Sequence, residues 1–349
     1  MHRNVVEIDA ALGATPPFDT IIDVRSPSEF AEDHMPDAVN LPVLDDAERA
    51  RVGTLHRGST FDARRIGAAL VARNIARHLD QALADKPRNW RPLVYCWRGG
   101  QRSGALVHVL ERIGWHARQL DGGYRAYRRA VLQELEALPT RFDWRVICGT
   151  TGSGKSRLLQ HLRATGAQVL DLEGLAHHRG SVLGAMPTLP QPSQKMFESR
   201  LWSALRGFDA ARPVFVESES RKVGDLRVPD ALIGAMRAAT CLRLELPLES
   251  RVRLLRAEYE HFEAHPDLLE RQLDCLIALH GKERVAHWKE LARDHAWDAM
   301  VERLLVEHYD PAYLRSIRRN FARVDAAQTL AVPSDADAEF GALARQLTA

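Results

Sequence analysis

An eight-residue segment in the middle of the chain restricts what its second half can fold into more than any other feature. Residues 149–156, GTTGSGKS, fit the pattern G-x-x-x-x-G-K-[ST] in full. The apolar run 144–148 precedes them, and the helical pattern of residues 157–162 follows. When a glycine-rich loop connects a strand to the beginning of a helix, the backbone N–H groups of the loop and of the first helical turn point toward an anion. The segment therefore predicts a loop that binds a di- or triphosphate in a parallel α/β sheet.

The side chains of this loop and four acids nearby are candidates for the phosphate site. We expect Lys155 to neutralise a terminal phosphate and Ser156 to ligate Mg²⁺ if that ion is bound. Glu217 follows the apolar run 214–216 and is a candidate for holding Mg²⁺ through water. Glu219 is the alternative candidate for the same role. Each acid could equally be solvated or ion-paired. The predicted phosphate-binding residues are Gly149, Thr151, Gly152, Ser153, Gly154, Lys155 and Ser156, and the nearby acids are Asp171, Glu173, Glu217 and Glu219.

A cysteine occupies the corresponding place in the first half of the chain. The apolar run 93–95 ends at Cys96, and the polar loop WRGGQR and a helical pattern follow. Inward N–H groups, a helix N-terminus and the charges of Arg98 and Arg102 would favour the thiolate, which could hold a transferred sulfur or selenium atom. The alternative is a buried core cysteine, the role that we expect for Cys148, Cys241 and Cys275.

The order of apolar and helical segments predicts two α/β domains. Short strands at 20–24, 93–96 and 115–120 alternate with helical patterns at 66–83 and 103–113. We predict a parallel-sheet domain over residues 1–135, a linker at 136–144 and a phosphate-loop domain at 145–248. A helical region at 249–325 would pack on that second domain, and residues 326–349 would form a loose tail.

Composition excludes several classes of protein. The 349 residues include 48 basic and 46 acidic side chains, so any nucleic-acid site must be a local basic cluster. The four cysteines form no C-x-x-C pair, which argues against a zinc site and favours a reducing compartment. No apolar stretch reaches the roughly 20 residues of a membrane span, and the N-terminus lacks the pattern of a secretion signal. We therefore expect a cytoplasmic protein without membrane contact.

Segments around Cys96 resemble the rhodanese family. The resemblance is carried by residues 23–30, 33–42 and 121–124 together with the cysteine loop. One feature departs from the pattern, because five residues separate Cys96 from Arg102 where most rhodaneses have four. The longer loop makes a wider cradle, as in related phosphatases, which favours a bulky or oxyanion-bearing donor over simple sulfur transfer.

The combination of the two halves resembles the family of bacterial tRNA 2-selenouridine synthases over about residues 10–325. It is carried by both loops and by residues 172–181, 191–194, 216–224 and 309–313. The resemblance implies that geranyl diphosphate alkylates 2-thiouridine at the tRNA wobble position, and that selenium from selenophosphate then replaces the S-geranyl group through Cys96. A Cys96 perselenide and a bound selenophosphate both remain open. It also implies no tightly bound cofactor, a selenophosphate-producing enzyme as supplier, and Mg²⁺ as a candidate ion.

A tRNA substrate requires basic surface. Two arginine clusters are candidates, although either could be a solvated helix face: Arg125, Arg128 and Arg129, and Arg315, Arg318, Arg319 and Arg323. Residues His177, His178, Arg179 and Arg221 are candidates for phosphate or tRNA contact. The competing interpretations are a sulfurtransferase fused to an ATP-dependent, kinase-like domain that acts on a small molecule, and a docking module in which the thiol has no chemical role.

Overall fold

The computed structural model describes residues 4–13, 18–186, 188–321 and 323–349. The chain divides into two compact units. Unit 1 contains the residues up to Glu134 together with Pro192–Ser203, and unit 2 contains Leu135–Gln191 and Ala204–Ala349. Pro192–Ser203 lies inside the predicted second domain, so its place in unit 1 differs from the sequence prediction.

Unit 1 is built on a parallel sheet with the strand order β1-β5-β4-β2-β3. Its strands are β1 (Val5–Val6), β2 (Thr20–Asp23), β3 (Ala38–Asn40), β4 (Pro92–Tyr95) and β5 (Arg118–Leu120). Its helices are α1 (Ile8–Ala11), α2 (Pro27–Glu32), α3 (Asp46–Gly58), α4 (Thr60–Asp80), α5 (Gln101–Ile113) and α6 (Gly123–Ala137), of which the last three residues of α6 belong to unit 2. Every residue of β4 is buried, as expected for a central parallel strand covered on both faces.

Unit 2 is built on a second parallel sheet with the strand order β12-β11-β6-β8-β7. Its strands are β6 (Trp144–Cys148), β7 (Gln168–Leu170), β8 (Val214–Glu217), the antiparallel pair β9 (Lys222–Val223) and β10 (Leu226–Arg227), β11 (Thr240–Glu245) and β12 (Gln328–Ala331). The strand β6, which leads into the phosphate loop, is central. The sheet therefore holds that loop at its carboxyl edge, where ligands bind in open α/β sheets.

Helices cover this sheet, and eight of those that the structure describes follow β11 in the chain. In chain order they are α7 (Lys155–Ala164), α8 (Leu172–Ala176), α9 (Gln194–Arg206, of which residues up to Ser203 belong to unit 1), α10 (Asp230–Ala238), α11 (Leu248–Glu258), α12 (His261–Ala264), α13 (Pro266–Asp274), α14 (Ile277–His280), α15 (Lys282–Arg293), α16 (Trp297–Leu304), α17 (Asp310–Asn320) and α18 (Asp337–Thr348). A π-helical turn, Leu305–Tyr309, joins α16 to α17. None of the helices in the described residues is long and apolar enough to cross a membrane.

The expectation of a loose C-terminal tail was wrong. Strand β12 pairs in parallel with β11, with Leu330 opposite Leu244, and α18 packs against α7. Phe340 is fully buried in the core of unit 2. Because β12 is an edge strand in which only Leu330 is buried, its sequence lacks the apolar run that identifies a central strand.

Candidate active sites

Cys96 lies directly after β4, at the carboxyl edge of the sheet of unit 1. Its side chain is only 3% exposed. The sulfur accepts a hydrogen bond from the Gly100 backbone N–H at 3.3 Å and another from the Ser103 hydroxyl at 3.2 Å. Helix α5 begins at Gln101, so its N-terminal turn faces the thiol. The strand, loop and helix that were predicted from the sequence therefore form a cradle of N–H and O–H donors around the sulfur.

The segment after β5 fixes the shape of this loop. The Tyr124 N–H donates to the Cys96 carbonyl at 2.8 Å, and the Arg125 N–H donates to the Trp97 carbonyl at 3.1 Å. Gly123 has a φ of +56°, and a Cβ there would overlap the Cys96 carbonyl oxygen. Only glycine permits this close approach of two backbones, which explains the glycine within residues 121–124 at this position.

The pKa of the Cys96 thiol is lowered although the side chain is buried. Burial by itself raises the pKa, but hydrogen bonds from the Ser103 hydroxyl and backbone, the charge of Arg102 and the Arg98 backbone outweigh it. Arg102 lies on the first turn of α5 and forms an ion pair of 3.1 Å with Glu29. The Arg98 side chain is exposed. Arg102 therefore lies beside the thiolate site, whereas the guanidinium of Arg98 faces solvent.

The phosphate loop lies between β6 and α7 in unit 2. Gly152 and Gly154 have φ values of +77° and +83°, and a Cβ on Gly154 would overlap the ring of Phe340. The Lys155 ammonium donates to the Gly149 carbonyl at 2.9 Å. Within the described part of the chain, the buried Ser153 hydroxyl has no hydrogen-bond partner. These are the features of a loop built to surround an anion.

Two residues that sequence reasoning did not assign to the loop support it from the helical region. The Tyr313 hydroxyl accepts a hydrogen bond from the Gly149 N–H at 2.6 Å, and its ring lies 5.7 Å from the Lys155 ammonium. The buried Arg251 donates to the Thr151 carbonyl at 2.8 and 2.9 Å and forms a two-pronged ion pair with Asp310. Because Arg251 neutralises Asp310 while holding Thr151, the loop is tied to α11 and α17.

The four predicted acids all belong to this region. The Ser156 hydroxyl donates to Glu173 at 3.0 Å, and the Glu173 backbone N–H donates to the buried Glu217 at 2.9 Å. Burial and the mutual repulsion of these carboxylates raise the pKa values of Glu173, Glu217 and Glu219. Asp171 instead caps α8 through the Gly174 N–H. Glu173 is thus the acid in direct contact with Ser156.

These acids fit a magnesium ion that arrives with its phosphate ester. Among the described residues, no group of three or more His, Cys, Asp or Glu side chains is arranged to hold a metal ion. Mg²⁺ in proteins is commonly bound by one or two carboxylates plus substrate phosphates and waters. Ser156 and Glu173, which are in contact, could supply that partial set. One buried oxygen of Glu217 has no hydrogen-bond partner in the described chain.

The histidine and arginine candidates have different surroundings. The Arg179 guanidinium lies 4.8 Å over the Tyr259 ring and lines the same groove as Lys155 and Ser156. His178 is buried and accepts a hydrogen bond from the Gly180 N–H. His177 is hydrogen-bonded through Nδ1 to the Pro190 carbonyl oxygen. Arg221 is exposed, 3.7 Å from Asp230. Arg179 is therefore the one of these four whose surroundings suit a phosphate contact.

An apolar chamber adjoins the phosphate groove within unit 2. Its empty volume is about 570 Å³, a figure that includes the open solvent at its mouth. We define the chamber by the residues Leu255, Phe262, Leu269, Trp297, Met300 and Leu304. Thr151 of the phosphate loop lines both the groove and the chamber. The sequence signal for this chamber is the set of apolar positions on α11, α13 and α16, which is typical of any helical core.

The two predicted basic clusters differ in exposure. In unit 1, Arg125 and Arg129 are exposed, but Arg128 is largely buried, forms an ion pair with Glu198 and lies 4.0 Å from Asp33. The second cluster is exposed, and among the described residues Arg318 forms a 3.9 Å pair with Asp325. Its members are Arg315, Arg318, Arg319 and Arg323. The second cluster therefore presents more free positive charge than the first.

Comparisons with known proteins identify the family. A model described as the tRNA 2-selenouridine synthase AAA domain matches residues 142–272, and a rhodanese-like domain model matches residues 5–130. The tRNA 2-selenouridine synthase of Marinobacter nauticus is 33% identical over 329 residues, which cover 84% of this chain and 87% of that protein. The synthase of Aeromonas salmonicida is 33% identical over 87% of this chain and 89% of its own, and that of Nitrosomonas europaea is 36% identical over 68% and 63%. The predicted resemblance is confirmed, and the chain belongs to the tRNA 2-selenouridine synthase family.

Proposed function

We propose that this protein converts 2-thiouridine at the wobble position of tRNA to 2-selenouridine in two steps. The phosphate loop binds geranyl diphosphate for S-geranylation, and the Cys96 loop then delivers selenium from selenophosphate. The names of the curated relatives support the overall conversion. We further propose that the enzyme acts in the cytoplasm and depends on another enzyme for its selenophosphate.

One observation carries the choice of donor, namely the apolar chamber that opens beside the phosphate loop. A nucleotide would present a polar base and ribose, which need hydrogen-bonding partners in their pocket. A hydrocarbon tail needs only apolar surface removed from water. The chamber therefore favours a diphosphate ester of an apolar alcohol over ATP, and it argues against the kinase-like alternative.

In the first step, the sulfur of 2-thiouridine bonds to C1 of the geranyl group while the C1–O bond breaks. The N3 proton is lost to solvent, and pyrophosphate leaves. Lys155 and the N–H groups of the loop stabilise the negative charge that develops on the leaving group. Mg²⁺, when bound with the diphosphate at Ser156 and Glu173, supplies further positive charge there. S-alkylation turns a poor leaving group at C2 into a good one.

In the second step, the donor cradle around Cys96 receives the phosphoryl oxygens of selenophosphate. A perselenide on Cys96 would require an oxidant, because the thiol and selenophosphate both carry fully reduced chalcogen. We therefore propose that the Cys96 thiolate attacks phosphorus, so that an S–P bond forms and the P–Se bond breaks. The released hydrogen selenide adds to C2, geranylthiol leaves, and water hydrolyses the thiophosphate to phosphate and free Cys96.

Mass spectrometry of tRNA nucleosides tests both steps. Cys96→Ala is expected to accumulate S-geranyl-2-thiouridine without selenouridine, and Lys155→Ala is expected to leave 2-thiouridine unchanged. Wild-type levels of selenouridine with Cys96→Ala, or full geranylation with Lys155→Ala, would refute the corresponding assignment. A protein that ignores prenyl diphosphates and thiolated RNA but hydrolyses ATP would refute the whole proposal.

Chemical rescue tests the role given to Cys96. If the thiolate only releases hydrogen selenide from selenophosphate, added hydroselenide should restore selenouridine formation by Cys96→Ala on geranylated tRNA, above the rate without enzyme. If the sulfur must carry selenium to the base, hydroselenide will give the same yield with and without the variant.

A further inference from the structure

We propose that the apolar chamber holds the hydrocarbon tail of the diphosphate substrate and that its inner wall limits the length of this tail. The inference rests on the proposed use of a prenyl diphosphate. It adds the binding subsite for the tail and the residues that determine which chain length the enzyme accepts. The inner wall consists of the residues that line the chamber but not the groove, chiefly Phe262, Leu269, Trp297, Met300 and Leu304.

The chamber and the phosphate groove are continuous. Five residues line both cavities, and they form the mouth through which one leads into the other: Thr151, Ser181, Leu255, Tyr259 and Tyr309. Thr151 is a residue of the phosphate loop itself. An ester whose diphosphate is held by the loop would therefore extend its carbon chain directly through this mouth.

The inner wall is apolar and rigidly packed. Leu269 is 1% exposed, and Met300 and Leu304 are each 4% exposed, within the hydrophobic core of the helical region. Because such a core is close-packed, an added isoprene unit would have to displace side chains rather than find open space. The wall can therefore act as a stop for the tail.

The polar groups at the edge of the chamber already have partners. Arg256 pairs with Glu263 at 2.8 Å and with Asp298 at 3.0 Å. The Tyr259 and Tyr309 hydroxyls both interact with the Ser181 hydroxyl. A nucleobase in this chamber would lose its hydrogen bonds to water without gaining replacements, whereas a hydrocarbon chain loses none.

A series of ligands with increasing chain length measures the contribution of the hydrocarbon tail to the binding affinity. Calorimetric titration of the full-length protein would compare inorganic pyrophosphate with dimethylallyl, geranyl and farnesyl diphosphates, with one, two and three isoprene units. Burial of a five-carbon unit is expected to strengthen binding roughly a hundredfold from dimethylallyl to geranyl. Farnesyl diphosphate is expected to bind at least about tenfold more weakly than geranyl, since the third unit meets the wall.

Two variants change the chamber in opposite directions. Val301→Trp fills it, and should abolish the advantage of geranyl over dimethylallyl diphosphate while leaving pyrophosphate affinity unchanged. Val306→Trp is the matched control, because Val306 lies five residues further along, is 51% exposed and does not line the chamber. Met300→Ala deepens the chamber and should improve farnesyl relative to geranyl binding by about tenfold. Unchanged pyrophosphate affinity shows that each variant retains its fold.

The outcomes separate this inference from the proposed function. If wild type transfers geranyl to tRNA but Val301→Trp and Met300→Ala both keep the wild-type order of affinities, the chamber is not the tail site, although the proposed function stands. If wild type binds geranyl diphosphate no more tightly than pyrophosphate, the chamber assignment fails. If wild type transfers no geranyl group at all, the proposed function itself fails.

Discussion

Ser103 is expected to control the reactivity of Cys96, and the size of the effect follows from the geometry. Its hydroxyl donates to the sulfur at 3.2 Å, and it accepts a hydrogen bond from the Gln119 side chain at 3.0 Å. The Gly100 carbonyl oxygen, at 3.3 Å, is a second acceptor for the same hydroxyl. A hydrogen bond to a charged group contributes about 1.5–3 kcal/mol, and one pKa unit corresponds to about 1.4 kcal/mol. Ser103→Ala should thus raise the pKa of Cys96 by about one to two units.

The direction of this pKa shift determines how the activity of the variant depends on pH. Because the hydroxyl stabilises the thiolate more than the thiol, its removal shifts the titration of Cys96 toward higher pH. The thiolate is the nucleophile, so the variant should release selenide more slowly at neutral pH and recover as the pH rises.

The pH dependence of alkylation measures this pKa directly. The rate at which iodoacetamide modifies the peptide containing Cys96 can be followed by mass spectrometry, which separates it from the peptide containing Cys275. The prediction that Cys275 is a core cysteine was wrong, because its side chain is exposed. Ser59→Ala is a matched control in the same unit, because Ser59 caps α4 through the Asp62 N–H and does not touch the thiol. A Cys96 pKa in Ser103→Ala within a few tenths of a unit of wild type would refute this account of the cradle.

Four further predictions concern the phosphate site, the core and the RNA surface. Arg251→Met should lower the free energy of unfolding by about 2–3 kcal/mol, less than for a fully buried pair because Asp310 is partly exposed, and should weaken pyrophosphate binding in the same titration. Phe340→Ala should cost about 3–5 kcal/mol in denaturant unfolding if α18 is part of the core, and almost nothing if it is a tail. Reversing the charges of Arg318 and Arg319 to Glu should weaken tRNA binding and reduce its salt dependence by about one unit of slope per lost phosphate contact. Chelation of divalent ions should stop geranylation of an anticodon oligonucleotide but spare selenium incorporation into one that is already geranylated.

The centres of both units could be predicted from the sequence because they follow from local rules. A buried parallel strand appears as a short apolar run, and a loop that binds an anion needs glycines before a helix start. The strand predicted at residues 93–96 is Pro92–Tyr95 in the structure, and the one predicted at 144–148 is Trp144–Cys148. In each case the first residue of the candidate site directly follows the strand, so the apolar run that identifies the strand also locates the site.

The remaining parts depend on contacts between distant positions. Tyr313 reaches Gly149 across 164 positions in the chain, and Arg251 reaches Thr151 across 100. Arg251 has no local pattern that distinguishes it from other residues of an amphipathic helix. Tyr313 belongs to a segment that carries the family resemblance, but nothing in that segment indicates a contact with the phosphate loop. No local pattern indicates the partner of Arg128 either. The sequence assigns it to a basic cluster, whereas in the structure it forms an ion pair with Glu198. Edge strand β12 was not predicted, because a strand with one buried residue has no run of apolar residues in its sequence.

The two loops have similar backbone arrangements but different electrostatic surroundings, and this difference suits the separate roles that we propose for them. Around Cys96, Arg102, although paired with Glu29, adds positive charge to the inward N–H groups, so the proposed phosphoryl donor would meet a site that favours anions. Around Ser156, burial and mutual repulsion raise the pKa values of the carboxylates of Glu173, Glu217 and Glu219. We expect a diphosphate to bind more readily there together with a cation that offsets these acids. The geranyl step should therefore depend on Mg²⁺, whereas the selenium step should not, because the charge needed for it is built into the protein.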